Sequence, residues 1–120
     1  LWERVTAQAC DSWPAVGRLG QGKELSVVVT LGGFPGFPGM PKKDLRASVL
    51  ALDANTGAPQ WTFAAPIWRE PAARGDTEGL RDRLIFNRKH MICLPASWSA
   101  PTISGDGTIY VGHLDGQLYS

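Results

Sequence analysis

Five side chains in the sequence belong to types that take part in catalysis or metal binding: His90, His113, Asp106, Asp115 and Cys93. Their spacing matches no metal-ligand pattern such as H-x-x-x-H or C-x-x-C, and no serine, histidine and acid share a nucleophile motif. Asp106 and Asp115 each precede a glycine between apolar stretches, where an aspartate typically holds a hairpin turn. The two aspartates therefore predict turns, and the five side chains together match no active-site motif.

The two cysteines, Cys10 and Cys93, are too few and too distant in sequence to indicate a disulfide framework or a zinc site. The favoured interpretation is that each is a small buried residue or an unreactive free thiol. A disulfide between them stays open as the alternative.

Composition limits the classes of function that the chain can have. Its net charge of +1 over 120 residues favours neither nucleic acid nor an anionic membrane as a partner. No apolar segment approaches the roughly 20 residues that a membrane-spanning helix requires. These features indicate no particular cellular compartment.

Short alternating apolar runs between glycine-rich and proline-rich turns predict an all-β fold. We expect antiparallel strands over 25–31, 47–53, 60–64 and 108–112, and a further strand in residues 1–7, which contain Trp2. The segment SWSAPTISGDGTIYVGHLDGQLYS then repeats the plan of the earlier strands. In this alignment 14–16 correspond to 101–103, and 25–29 correspond to 108–112. Long insertions at 32–46 and 65–96 separate the two copies.

The stretch ALDANTGAPQW at 51–61 carries the most specific pattern in the chain. Five of its residues match A-x-D-x-x-T-G-x-x-x-W, namely Ala51, Asp53, Thr56, Gly57 and Trp61. This pattern resembles the tryptophan-docking motif of the PQQ-like β-propeller repeat. The resemblance implies a partial β-propeller of four-stranded antiparallel blades with two long loop insertions. Residues 1–7 would end one blade, 13–64 would form a second, 65–96 would be an insertion, and 97–120 would begin a third.

The resemblance also implies what the five motif residues do. The Trp61 indole is expected to be largely buried against a neighbouring blade or a partner, since in the family it packs on the glycine of a neighbouring motif. Gly57 would lack a side chain for that reason, while Asp53 and Thr56 would hold the turn through side-chain hydrogen bonds. All five roles are structural, and we predict no catalytic residue among them.

Apolar residues in the two insertions are the candidates for binding. Phe34, Phe37 and Met40 lie in the first insertion and Trp68 lies in the second. One interpretation is that they contact a protein partner, because loops on a rigid scaffold often carry binding residues. The alternative for the first three is that they fold back on the blade as a local cap.

Two functions follow from the resemblance. The favoured one is a non-catalytic scaffold for protein–protein interaction within a larger assembly, with no cofactor. The alternative is a fragment of a PQQ-dependent quinoprotein dehydrogenase, which would bind PQQ and calcium. The adjacent cysteine pair that those dehydrogenases share does not occur in this sequence.

Overall fold

The computed structural model describes residues 1–10, 12–33, 46–70 and 96–120. These residues form eight strands and no helix, which confirms the all-β prediction for the part of the chain that is described. The strands are β1 (Ala9–Cys10), β2 (Ala15–Arg18), β3 (Leu25–Gly32), β4 (Ser48–Asp53), β5 (Pro59–Ala64), β6 (Thr102–Ile103), β7 (Ile109–Gly112) and β8 (Leu118–Tyr119). All pairings are antiparallel.

The strands make two sheets. In the first sheet β3 pairs with β4 and β4 with β5, while β1 and β2 both lie along the other edge of β3. The second sheet has the order β6-β7-β8. The four strands predicted from alternation are confirmed to within one residue at each end. Residues 1–7, all of them described, contain no strand, so the strand expected there is wrong.

The first sheet has an apolar layer on each face. On one face Val28, Val49 and Ala51 pack with Trp98 and Val111 of the second sheet's segment. On the opposite face lie Leu31, Leu50 and Leu52, with Val27, Val29 and Trp2 packed against them. The four central residues of β4, 49–52, are therefore all buried, which explains why this part of the strand is apolar without a break.

Strand register corrects the alignment of the two copies. Ala15 pairs with Val28 in the first sheet, whereas Thr102 pairs with Tyr110 in the second. If Ala15 corresponds to Thr102, then Val28 corresponds to Tyr110 and not to Val111, so the predicted match of 25–29 with 108–112 is wrong by one residue. The alternation alone did not fix the length of the turn, and a slip of one residue moves every side chain to the other face.

The corrected register shows how the two sheets face each other. Val28 lies on the face of the first sheet that packs on the second, while its counterpart Tyr110 is 42% exposed. Val111 faces the first sheet, and its counterpart Val29 lies on the face covered by Trp2. The two sheets thus stack in the same sense, so that non-equivalent faces meet. A two-fold sandwich would instead bring equivalent faces together.

Candidate interaction surfaces

The turn from Asp53 to Gly57 is held by the side chain of its first residue. Asp53 Oδ1 accepts hydrogen bonds from the Asn55 N–H at 3.0 Å, the Thr56 N–H at 2.8 Å and the Thr56 hydroxyl at 2.8 Å. The Gly57 N–H donates to the Asp53 carbonyl at 2.8 Å, and Gly57 has φ of 71°. Only glycine adopts this φ without strain. The predicted turn roles of these residues therefore match their geometry.

These hydrogen bonds also set the electrostatics of the turn. The backbone N–H of Thr56, and after it the Thr56 hydroxyl, lowers the pKa of Asp53 below its ordinary value. Three donors converge on one ionised oxygen, and each favours the charged form. The turn is consequently built around a carboxylate rather than a carboxylic acid.

Trp2 is the side chain that packs on Gly57. A Cβ placed on Gly57 would lie 2.5 Å from Cε3 of the Trp2 ring, so the indole sits directly against the backbone. The Trp2 Nε1–H donates to the Ala54 carbonyl at 2.9 Å, which fixes the orientation of the ring on the turn. Arg4 adds a long hydrogen bond of 3.4 Å from Nη1 to the Gly57 carbonyl. The turn is thus a docking platform for an indole that comes from 52 residues away.

Sequence reasoning did not assign this role to Trp2. It assigned residues 1–7 to a strand and expected the glycine to meet a tryptophan of another motif without naming the residue. The sequence held no signal that singled out Trp2, because Trp13 also precedes the Gly57 turn. The segment reaches the turn without forming a strand, so strand alternation could not reveal the contact.

Trp61 is not buried within the described chain. It is 39% exposed, as is Phe63 on the same face of β5, and its burial against a partner stays a prediction. Both rings line an open cleft of about 340 Å³ together with Val49. The opposite wall of the cleft consists of second-sheet residues: Thr108, Ile109, Val111, Tyr119 and Ser120.

The cleft exists because no described strand of the second sheet lies opposite β5, although the Phe63 ring contacts the rings of Trp98 and Tyr119. In the stack, β2 contacts β6, while Val49 and Ala51 of β4 pack with Val111 and Tyr119 of β7 and β8. The second sheet has no described strand beyond β8, so Trp61 on the inner face of β5 stays partly open to solvent. Trp61 is therefore exposed where no described strand lies beside β8.

Trp61 and Trp2 hold corresponding positions relative to the two sheets. Trp2 packs beside Val27, Val29 and Leu50. When the strand pairings of the two sheets are aligned, the residues of the second sheet that correspond to these three are Ile109, Val111 and Tyr119. Those three counterparts line the cleft beside Trp61. Each tryptophan thus lies against the same strands of the sheet that follows it. Trp2 meets a glycine turn, and Trp61 meets an open cleft.

An aromatic and acidic cluster surrounds Tyr119, which lines the cleft. The Trp98 ring lies 4.3 Å from the His113 ring between centroids and 5.7 Å from Tyr119. Asp115 Oδ2 accepts a 2.6 Å hydrogen bond from the Tyr119 hydroxyl and lies 3.1 Å from His113 Nδ1. Burial first, and then the bond to Asp115, raises the pKa of Tyr119 to about 12. This arrangement immobilises Tyr119, which forms one wall of the cleft.

The remaining turn acids behave as the sequence indicated. Asp106 Oδ1 accepts from the Ser104 hydroxyl and from the Thr108 N–H, and the Ser104 bond, followed by the Thr108 bond, lowers its pKa. Asp115 Oδ1 accepts from the Gln117 N–H at 2.8 Å. Partial burial pushes the pKa of Asp115 upward, but hydrogen bonds led by the one from Tyr119 outweigh burial and leave it lowered. Both acids are engaged in their own hairpins.

The two sheets also meet at their inner turns. Gly107 has φ of 83°, and its Cα lies so close to the turn after β2 that an added Cβ would be 2.8 Å from the Leu19 carbonyl carbon. The Gly20 N–H donates to the Gly107 carbonyl at 3.3 Å. The Gly107 position therefore sets how closely the two sheets approach.

The other predicted residues are placed only in part. Phe34, Phe37, Met40, His90 and Cys93 lie outside the described residues. Trp68 is half-buried, and it does not line the aromatic cleft. Cys10 is an exposed free thiol, so the alternative of a disulfide with Cys93 is not realised.

The described residues form neither a metal-binding group nor a membrane-spanning helix. Within residues 1–10, 12–33, 46–70 and 96–120 no group of three or more His, Cys, Asp or Glu side chains is arranged to hold a metal ion. The described part of the chain also contains no helix long and apolar enough to cross a bilayer.

Comparison with known proteins finds no relative of this chain. No family model matches the chain, and neither a curated protein nor a solved structure matches it.

Proposed function

We propose that this chain forms stacked repeats of the PQQ-like β-propeller kind and serves as a non-catalytic scaffold for protein–protein interaction. The observation that carries the proposal is the Trp2 indole on the Gly57 turn, with its Nε1–H bonded to Ala54. The motif resemblance implied a contact of this kind, between a tryptophan of one repeat and the glycine of another. The geometry supports the proposal independently of the sequence pattern.

Same-sense stacking of the two sheets is the second support. Repeat proteins place one sheet on the next by the same small rotation each time, so each interface joins two non-equivalent faces. Val28 packs inward while its counterpart Tyr110 points outward, as such a repeat requires. A blade cannot cover both of its own faces, and stacking is how β-propellers solve this problem.

The polar side chains of the turns make hydrogen bonds that stabilise those turns, which favours a scaffold over an enzyme. Asp53 and Thr56 bond to each other and to their own turn, and Asp106 and Asp115 do the same in the later hairpins. Binding would then reside in the insertions and in the open cleft. In the full assembly, the binding residues proposed for the insertions are Phe34, Phe37, Met40 and Trp68.

Affinity purification with quantitative mass spectrometry tests the scaffold proposal. Wild-type protein is compared with a variant lacking 33–41, which removes the first-insertion aromatics, and with a matched variant in which only Phe34 and Phe37 are replaced by serine. We expect both variants to fold and to lose the same partners, because surface-loop changes alter chain-closure entropy little.

The dehydrogenase alternative is tested on the same preparations. Each protein is reconstituted with PQQ and calcium, and bound quinone is measured by absorbance, followed by a dye-linked alcohol oxidation assay. Stoichiometric quinone uptake with oxidation, together with unchanged partners in both loop variants, would overturn the scaffold proposal.

A further inference from the structure

We propose that two copies of this chain pair along β5, in antiparallel orientation about a two-fold axis at Phe63, so that their first sheets join into one. Among the described strands β5 forms an edge of the first sheet, and all six of its residues are exposed. This pairing goes beyond the scaffold proposal and uses none of the repeat features. It depends on the backbone and the composition of one strand.

Most of this edge lacks the features that usually keep sheet edges apart. Natural edge strands carry charged side chains, prolines or bulges that block pairing with another chain. In β5 these features occur only at the beginning, at Pro59 and at Gln60, which the register shift against β4 passes over. Residues 61–64, WTFA, contain no charge and no proline, and they pair with β4 without interruption. They therefore form an unprotected edge.

The backbone of this edge points outward at two residues. The Ala65 N–H donates to the Ala47 carbonyl at 2.9 Å, so these two residues form a hydrogen-bonded pair. Such pairs alternate with non-hydrogen-bonded pairs in an antiparallel ladder, so Phe63, two residues earlier, is also bonded to β4. Thr62 and Ala64 flank Phe63 and direct their N–H and C=O groups away from β4.

Two such edges complement each other best in one register. With the axis at Phe63, Thr62 of each copy pairs with Ala64 of the other, and each pair exchanges two hydrogen bonds. An axis at Thr62 would instead place Ala64 opposite Gln60, where the register shift occurs. An axis at Ala64 would place Thr62 opposite Pro66, which has no N–H. The axis at Phe63 therefore gives the most hydrogen bonds between the copies.

The side chains on the inner face of β5 favour the same arrangement. Phe63 and Trp61 are each 39% exposed. Across the axis the two Phe63 side chains would occupy a non-hydrogen-bonded pair, with about 4.5–5.5 Å between their Cβ atoms, and aromatic pairs in this position stabilise antiparallel sheets. Pairing therefore covers apolar surface that a single chain leaves open to solvent.

Charge does not oppose the approach of two copies. The strand β5 has no charged residue, and the whole chain has a net charge of +1. Two molecules with so small a charge repel each other weakly, whereas a large net charge keeps proteins monomeric. A second copy thus meets the requirements of this edge, because it brings an uncharged strand with N–H and C=O groups at the matching spacing.

Sedimentation equilibrium of the full 120-residue chain over about a hundredfold range of concentration measures the association. Thr62→Pro removes the outward N–H, and because of the two-fold axis each dimer loses two hydrogen bonds. The matched control Thr62→Ala keeps the N–H and changes only an exposed side chain. We expect proline to weaken dimerisation by at least about tenfold and alanine by less than about threefold, because proline leaves two carbonyls unsatisfied.

Amide hydrogen exchange in the wild-type protein gives a readout that needs no variant to fold. Exchange at Thr62 and Ala64 should slow as the protein concentration rises. Leu118 is the internal control, because it lies at the edge of the described second sheet. The His113 N–H donates to the Gln117 carbonyl, so by the same alternation the N–H of Leu118 points away from β7. Its exchange should not change with concentration.

A protein that stays monomeric at every concentration would overturn this proposal. So would association that Thr62→Pro and Thr62→Ala weaken equally, or exchange that slows at Leu118 and not at Thr62 and Ala64. None of these results bears on the scaffold proposal, since loss of partners in the loop variants is measured separately.

Discussion

Replacing Gly57 with alanine tests the contact on which the functional argument depends. The substitution has two costs, one in the backbone and one in packing. At φ of 71° an alanine is strained by roughly 1–2 kcal/mol. Its Cβ would also lie 2.5 Å from Trp2, so the ring must move off the turn.

The packing cost is estimated from what Trp2 loses when it moves. Its hydrogen bond from Nε1 to the Ala54 carbonyl contributes about 1 kcal/mol. The apolar contacts of a half-buried indole add about 1–2 kcal/mol at 25 cal/mol per Å². Gly57→Ala should therefore lower the free energy of unfolding by roughly 3–5 kcal/mol in total.

Gly20→Ala is the matched control, because Gly20 has φ of 54° and no atom within 4 Å of an added Cβ. It should cost only the backbone strain, roughly 1–2 kcal/mol. Urea unfolding of both variants, alone and combined with Trp2→Ala, forms a double-mutant cycle. The Gly57→Ala cost should fall to that of Gly20→Ala once Trp2 is absent. Equal costs for the two glycine variants in the wild-type background would refute docking of Trp2 on the turn.

Three further measurements follow from the geometry. Trp61→Ala should cost only about 1–2 kcal/mol in urea unfolding, well below the roughly 3–5 kcal/mol of a fully packed ring, because Trp61 is 39% exposed; a loss of 4 kcal/mol or more would mean that the cleft is filled. Gly107→Ala should destabilise more than Gly20→Ala, since its Cβ meets the backbone after β2; equal midpoints in thermal unfolding would contradict this. Acid should destabilise the fold, because the pKa values of the turn acids are lower in the folded protein than in the unfolded chain. The stability that this difference gives is fully present above the ordinary aspartate pKa of about 3.9, and it is lost as the pH falls through the lowered pKa values of the folded protein. The three turn acids are Asp53, Asp106 and Asp115. In a variant with asparagine at all three, the urea midpoint should fall less steeply as the pH is lowered. A wild-type midpoint that does not change with pH would refute the lowered pKa values of these acids.

Local features of the molecule were predictable from sequence and non-local ones were not. The hydrogen bonds of Asp53 with Thr56 span three residues, so the residue types alone were enough to predict the turn. The alternation in β3 and β4 likewise predicted strands at the correct places. These signals depend on a few neighbouring residues, and no tertiary contact was needed to interpret them.

The errors and omissions arose where distant segments meet. The one-residue slip between the copies came from a turn length that alternation does not determine, and pairing of Thr102 with Tyr110 was needed to correct it. The exposure of Trp61 depends on which strands lie opposite β5, and no local pattern contains that information. Trp2 was missed because it reaches the turn from an irregular segment.

Same-sense stacking has a consequence for assembly, because it gives the stack a polarity. A contact between non-equivalent faces is heterologous, and heterologous contacts either close into a ring or continue as an open filament. Trp2 occupies the Gly57 turn, so this turn is closed to a tryptophan of another molecule while Trp2 stays in place. The Trp2 contact therefore limits self-association through the Gly57 turn as well as stabilising it.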